Sequence, residues 1–176
     1  MRLRVTAMAL AVLAIAGWSA GALAEEASLT VSFADPQWTG GAVPQNQVCS
    51  RFGGAGATPR LKVDGVPPGA DAIIVWFSDE DYLPMGDGGH GVLRFKIDSG
   101  PSVTLVSVPG ETDQLPDGVT AEQKHHGASA GGVYMPRCSG GRGHHYTAEV
   151  RAVKSSSDPG KPAEVLARGK ITIGTF

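Results

Sequence analysis

Short apolar runs separated by glycine and proline organise this chain. The runs are Leu29–Phe33, Arg60–Val63, Ala72–Phe77, Val92–Ile97, Val103–Val108, Tyr146–Val153 and Lys170–Phe176. Leu29, Val31 and Phe33 alternate with polar residues, as do Leu93, Phe95 and Ile97, and Tyr146, Ala148, Val150 and Ala152. A period of two predicts strands with one face buried. Ala72–Phe77 lacks the alternation and reads as a strand buried on both faces. The 25 glycines and 12 prolines fall largely between the runs, as turns between short strands would require. Helical signals are sparse. Thr120-Ala121-Glu122-Gln123 fits a capping box, with Gly127 ending a helix of about two turns. Pro162–Ala167 is a second short candidate. The pattern predicts an all-β domain, a sandwich of two antiparallel sheets with one or two short helices.

The first residues change the compartment rather than the fold. Arg2 and Arg4 precede the apolar stretch from Val5 to Ala16, and Ala22-Leu23-Ala24 is a small-x-small cleavage pattern. Residues 1–24 read as a secretory signal peptide, leaving one domain over residues 25–176 in a periplasmic or secreted location. No cysteine marks the cleavage point for a lipid anchor, and no later run is long enough to span a bilayer. The formal net charge is −2, and removing two arginines makes the domain more acidic. That balance argues against nucleic acid as a partner. Cys49 and Cys138 are the two cysteines, and an oxidising compartment favours a bridge between them over two separate buried thiols.

Candidate chemistry gathers at strand ends. Asp79-Glu80-Asp81 closes the Ala72–Phe77 run, and His90 opens the next one after the turn at Gly86, Gly88 and Gly89. All five histidines lie at three places: His90, His125-His126 and His144-His145. His144 and Tyr146 share one face of a strand by period two. If these residues meet, a carboxylate beside an imidazole fixes its tautomer, and imidazole and phenol donors suit a small anion or phosphorylated headgroup. The competing reading is that the aspartates cap turns and the histidines face solvent.

Several segments, in order, resemble the phosphatidylethanolamine-binding protein family, in particular its bacterial Raf-kinase-inhibitor-like branch. They are Ala42-Val43-Pro44 followed by Cys49 and Gly53, Gly56-Ala57-Thr58-Pro59-Arg60-Leu61, and Gly65–Ala70. Asp79-Glu80-Asp81 with His90, His126-Gly127 through Tyr134 and Pro136, His144-His145-Tyr146 and Ile173–Phe176 complete the set. The resemblance implies a β-sandwich with an anion pocket at one end. Carried over by position, Asp79, Asp81, His90, His144 and Tyr146 would bind ligand, with Tyr134 and Pro136 as walls. Departures stand out as well. Glu80 replaces the proline between the two acids and adds charge, and Gly88, Gly89 and Gly91 replace aromatics around His90, which suggests a wider mouth. Arg137 is a candidate cation for the rim.

The expected function is therefore non-catalytic binding of a small anionic or phosphorylated ligand, without a cofactor. An inhibitor module for a kinase-like or peptidase partner is one alternative. A hydrolase pairing His90 or His144 with Asp79 or Asp81 is another, although Gly-x-Ser-x-Gly is absent. A metal site is disfavoured, because adjacent strand histidines such as His144 and His145 point to opposite faces.

Overall fold

A computed structural model describes residues 27–128 and 131–176. The expected signal peptide, residues 1–24, lies outside the described residues. The strands are β1 (Ala27–Ser28), β2 (Thr30–Phe33), β3 (Leu61–Asp64), β4 (Ala72–Asp79), β5 (Gly91–Lys96), β6 (Ser102–Thr104), β7 (Val119–Gln123), β8 (His145–Lys154) and β9 (Glu164–Thr175). One sheet has six strands in the order β1-β9-β8-β4-β5-β7, and the other has three in the order β2-β3-β6. Among the described residues every pairing between these strands is antiparallel except that of β1 with β9.

The two sheets bury their alternating residues between them. Ile73, Val75 and Phe77 of β4, Leu93 and Phe95 of β5, and Ala148, Val150 and Ala152 of β8 face Leu61 and Val63 of β3 across one core. The alternation read from the sequence is thus the sandwich interface. The expected helices do not form. Thr120–Gln123 belongs to β7, where Ala121 pairs with Leu93 and Thr120 with Arg94. Hydrogen bonds to the ladder outweigh a capping signal worth about 1 kcal/mol. Glu164–Ala167 opens β9 and pairs with the end of β8. The described helical pieces are single 3-10 turns at Gln45–Gln47, Ser50–Phe52 and Leu83–Met85.

Nor is β4 buried on both faces. Ile74, Trp76 and Ser78 are only half-buried on its outer side. There the Arg151 guanidinium lies 4.0 Å from the Trp76 ring centre, covering part of the indole while its Nε donates to the Glu149 carboxylate at 2.6 Å.

The disulfide between Cys49 and Cys138 is formed, with a Cα–Cα distance of 5.4 Å across 89 positions of sequence. It ties the Ser50–Phe52 turn to the segment that leads into β8.

Candidate functional site

Three neighbouring strands bring the site together. β4 is central, with β5 on one side and β8 on the other. Phe77 pairs with Gly91, which puts His90 beside the end of β4, and the His90 amide donates to the Phe77 carbonyl at 3.0 Å. On the other side Asp79 pairs directly with Tyr146. Asp79, His90, His144 and Tyr146 therefore meet at one end of the large sheet and line a cavity of about 370 Å³.

Asp79 is buried and holds two contacts. Its Oδ1 accepts from the Asp81 amide at 2.9 Å, which turns the chain out of the strand. Its Oδ2 lies 2.7 Å from Nδ1 of His144. The His144 Nδ1 proton is thereby fixed on Asp79, leaving Nε2 on the opposite edge of the ring. Tyr146 is 2% exposed and meets the His90 ring edge-on, with centroids 5.3 Å apart. Among the described residues its hydroxyl makes no hydrogen bond of regular geometry. Burial pushes the phenol up and Asp79 adds to the shift, while looser polar contacts with Ser139 and the Cys138 backbone oppose part of it.

His90 is 4% exposed, and burial pushes its imidazole down to about 4, against the Met135 carbonyl that would raise it. The unfolded ring protonates near 6.5, so between 6.5 and about 4 only the unfolded chain takes up that proton. The stability linked to His90 is complete above the upper value and is lost as pH falls to the lower one. It amounts to about 3 kcal/mol. Urea-denaturation midpoints should fall more steeply over this range for the wild type than for His90→Asn, whose amide can still donate to Met135. Equal slopes would contradict the buried neutral imidazole.

Three residues expected in the site stand elsewhere. Asp81 faces outward and accepts from the backbone and ring Nδ1 of His145, at 2.6 and 2.8 Å. Those two contacts, the backbone one first, hold its carboxyl below the usual range. Tyr134 is fully buried, edge-on to Phe77 at 5.0 Å. It borders a second cavity of about 10 Å³ behind His90, room for about one water. Pro136 packs where Gly56 and Gly110 leave space for its ring, away from the large cavity.

Arg137 is not on the rim. Arg137 is 1% exposed, donates to the Gln47 and Ala57 carbonyls at 3.2 and 3.0 Å, and stacks over Trp38 at 4.5 Å. The rim carries Arg51 and Arg142 instead. Neither pairs with a carboxylate among the described residues; Arg142 donates to the Ser139 carbonyl at 3.1 Å. The Arg51 turn is held by Glu111, whose carboxylate accepts from the Ser50 amide and hydroxyl at 2.9 and 3.0 Å. Glu80 adds no charge to the cavity. It accepts from Lys170 at 2.8 Å and from Thr147, and these contacts hold its carboxyl low.

The glycines around His90 do not widen the mouth. A Cβ on Gly89 would lie 2.3 Å from the Met85 Cα, and one on Gly91, at φ +120°, 2.9 Å from the Val133 carbonyl. At Gly89 and Gly91 backbone fills the space where a side chain would begin. Tyr82, Pro84, Met85, Met135 and the His126 ring complete the wall. His126 is fixed by the Pro84 carbonyl at Nδ1 and by Gln123 at Nε2.

No protein-family model and no curated protein matches the chain. Solved structures do. Escherichia coli YbcL, described as a member of the mammalian PEBP family, superposes with a TM-score of 0.55 and 22% identity, over 85% of this chain and 98% of its own. The chain has the phosphatidylethanolamine-binding protein fold. CT736 of Chlamydia trachomatis, described as a PEBP homolog, agrees at TM-score 0.51 and 17% identity, over 85% of this chain and 97% of its own. At these identities the likeness concerns the PEBP fold. The chemistry of the cavity rests on this chain's own residues.

Proposed function

We propose that the protein binds a small anionic ligand, with a phosphate group as the preferred head, in the cavity between Asp79, His90, His144 and Tyr146. The carrying observation is a set of donors around one cavity that still have hydrogen-bonding capacity to spare. Among the described residues the buried Tyr146 hydroxyl makes no hydrogen bond of regular geometry, and the Arg51 and Arg142 guanidiniums pair with no carboxylate. An anion satisfies all three, and Arg is well suited to phosphate oxygens. The volume suits a headgroup or small phosphoester better than a large cofactor. The description of YbcL and CT736 as PEBP relatives supports the same ligand class. The disulfide and the signal-like start support a periplasmic or secreted site of action. Among the described residues no helix is long and apolar enough to cross a membrane.

The reading is non-catalytic. The Asp79–His144 pair has the form of a general base, yet Ser139 in the cavity wall donates its hydroxyl to the Phe176 carbonyl. Isothermal titration with phosphoethanolamine and inorganic phosphate tests the proposal. Saturable binding at micromolar to millimolar concentration is expected for the wild type. Absence of binding by both would overturn it.

A further inference from the structure

The donors on the rim face a floor made of acceptors, and that asymmetry specifies the ligand further. Nδ1 of His90 lies 2.7 Å from the Met135 carbonyl. A carbonyl oxygen only accepts, so Nδ1 carries the proton, and in the neutral ring Nε2 holds a lone pair. No hydrogen bond among the described residues occupies Nε2, and the ring lines the cavity. Beside it stands the Asp79 carboxylate, already turned toward Asp81 and His144. An anion whose oxygens all accept would set one of them against these lone pairs.

We propose that the cavity selects the monoprotonated phosphomonoester, whose own P–OH donates to Nε2 of His90 while its other oxygens accept from Tyr146, Arg51 and Arg142. This rests on the reading of the cavity as an anion site. His90 becomes the residue that reads the ligand's proton. The charged and titratable groups around it are Asp79 from β4, Tyr146 from β8, and Arg137 and His125 from the adjoining loops. Asp79 favours a cationic ring, but Arg137, His125 and above all burial oppose it and keep it neutral. A sulfate ester and a phosphodiester lack the proton. Each leaves an acceptor facing an acceptor, a mismatch that amounts to about tenfold or more in affinity.

Methyl phosphate, methyl sulfate and dimethyl phosphate separate these cases, being similar in size and all near one negative charge at about pH 5.5. The wild-type protein should bind methyl phosphate at least about tenfold more tightly than either of the others. Its affinity should then fall by more than about tenfold by pH 8, because the second proton leaves near pH 6. Methyl sulfate, whose charge is constant, reports the protein's own titration. In His90→Gln, whose amide can rotate to donate, the preference should collapse. Equal binding of the three ligands by the wild type would overturn proton reading and leave the anion site standing. A preference unchanged in His90→Gln would also overturn it. Failure of all three to bind would overturn the anion site itself.

Discussion

Cys49→Ala/Cys138→Ala should lose about 4–5 kcal/mol of stability, because the bridge closes a long loop whose freedom in the unfolded chain returns when it is cut. The 89-residue separation makes this one of the largest single constraints on the unfolded ensemble. The native backbone keeps local links: the Cys49 amide still donates to the Arg137 carbonyl at 3.0 Å, and Val48 still bridges Arg137. Those contacts hold the folded state and do nothing to restrain the unfolded one. In a domain of this size the melting temperature should drop by about 10–20 °C. Affinity should fall too, since the bridge sets the Arg51 turn against the Arg142 segment. A stability loss under about 2 kcal/mol would mean that the loop is restrained by other means.

Arg51→Ala/Arg142→Ala should weaken phosphoethanolamine binding by about a hundredfold, at about 1.4 kcal/mol for each exposed charged contact. Both guanidiniums stand at the solvent edge, so the wild-type affinity should also decline with added salt. The double variant should lose most of that salt dependence. The fold should survive, because neither side chain holds an ion pair among the described residues and the losses are one Arg142–Ser139 hydrogen bond and the Arg51 contact with the Phe52 ring. Lys170→Ala is the control. Lys170 binds Glu80 on the other side of the chain turn, and its removal should leave the affinity within about twofold. An unchanged affinity in the double variant would place the anion elsewhere.

The strands were legible because burial on one face imposes period two, and that period survives wherever two sheets meet. It failed where local and tertiary signals compete. Thr120–Gln123 satisfies a capping pattern, yet β5 offers a ladder partner that no local rule registers. The site was legible where side chains sit at strand ends. Asp79, His90 and Tyr146 are fixed by the pairings Phe77 with Gly91 and Asp79 with Tyr146. Asp81 is placed in the site by the resemblance, which does not register how this strand ends. The Asp79 Oδ1 contact to the Asp81 amide ends the strand and sends that carboxylate to His145. The arginines were beyond sequence reasoning. Arg137 and Arg142 both lie near Cys138, but only the fold shows that Trp38 and two carbonyls capture the first and leave the second on the rim. The glycines around His90 likewise look like missing walls until Met85 and Val133 are seen to occupy the space.

The most direct test is an NMR titration that follows the imidazole resonances as methyl phosphate is added. The rings of His90 and His144 should shift together in a saturable way, because both line the cavity. His145, outside it and bound to Asp81, should stay still. Shifts confined to His145 and His125, or none at saturating ligand, would contradict a phosphate site between Asp79, His90, His144 and Tyr146.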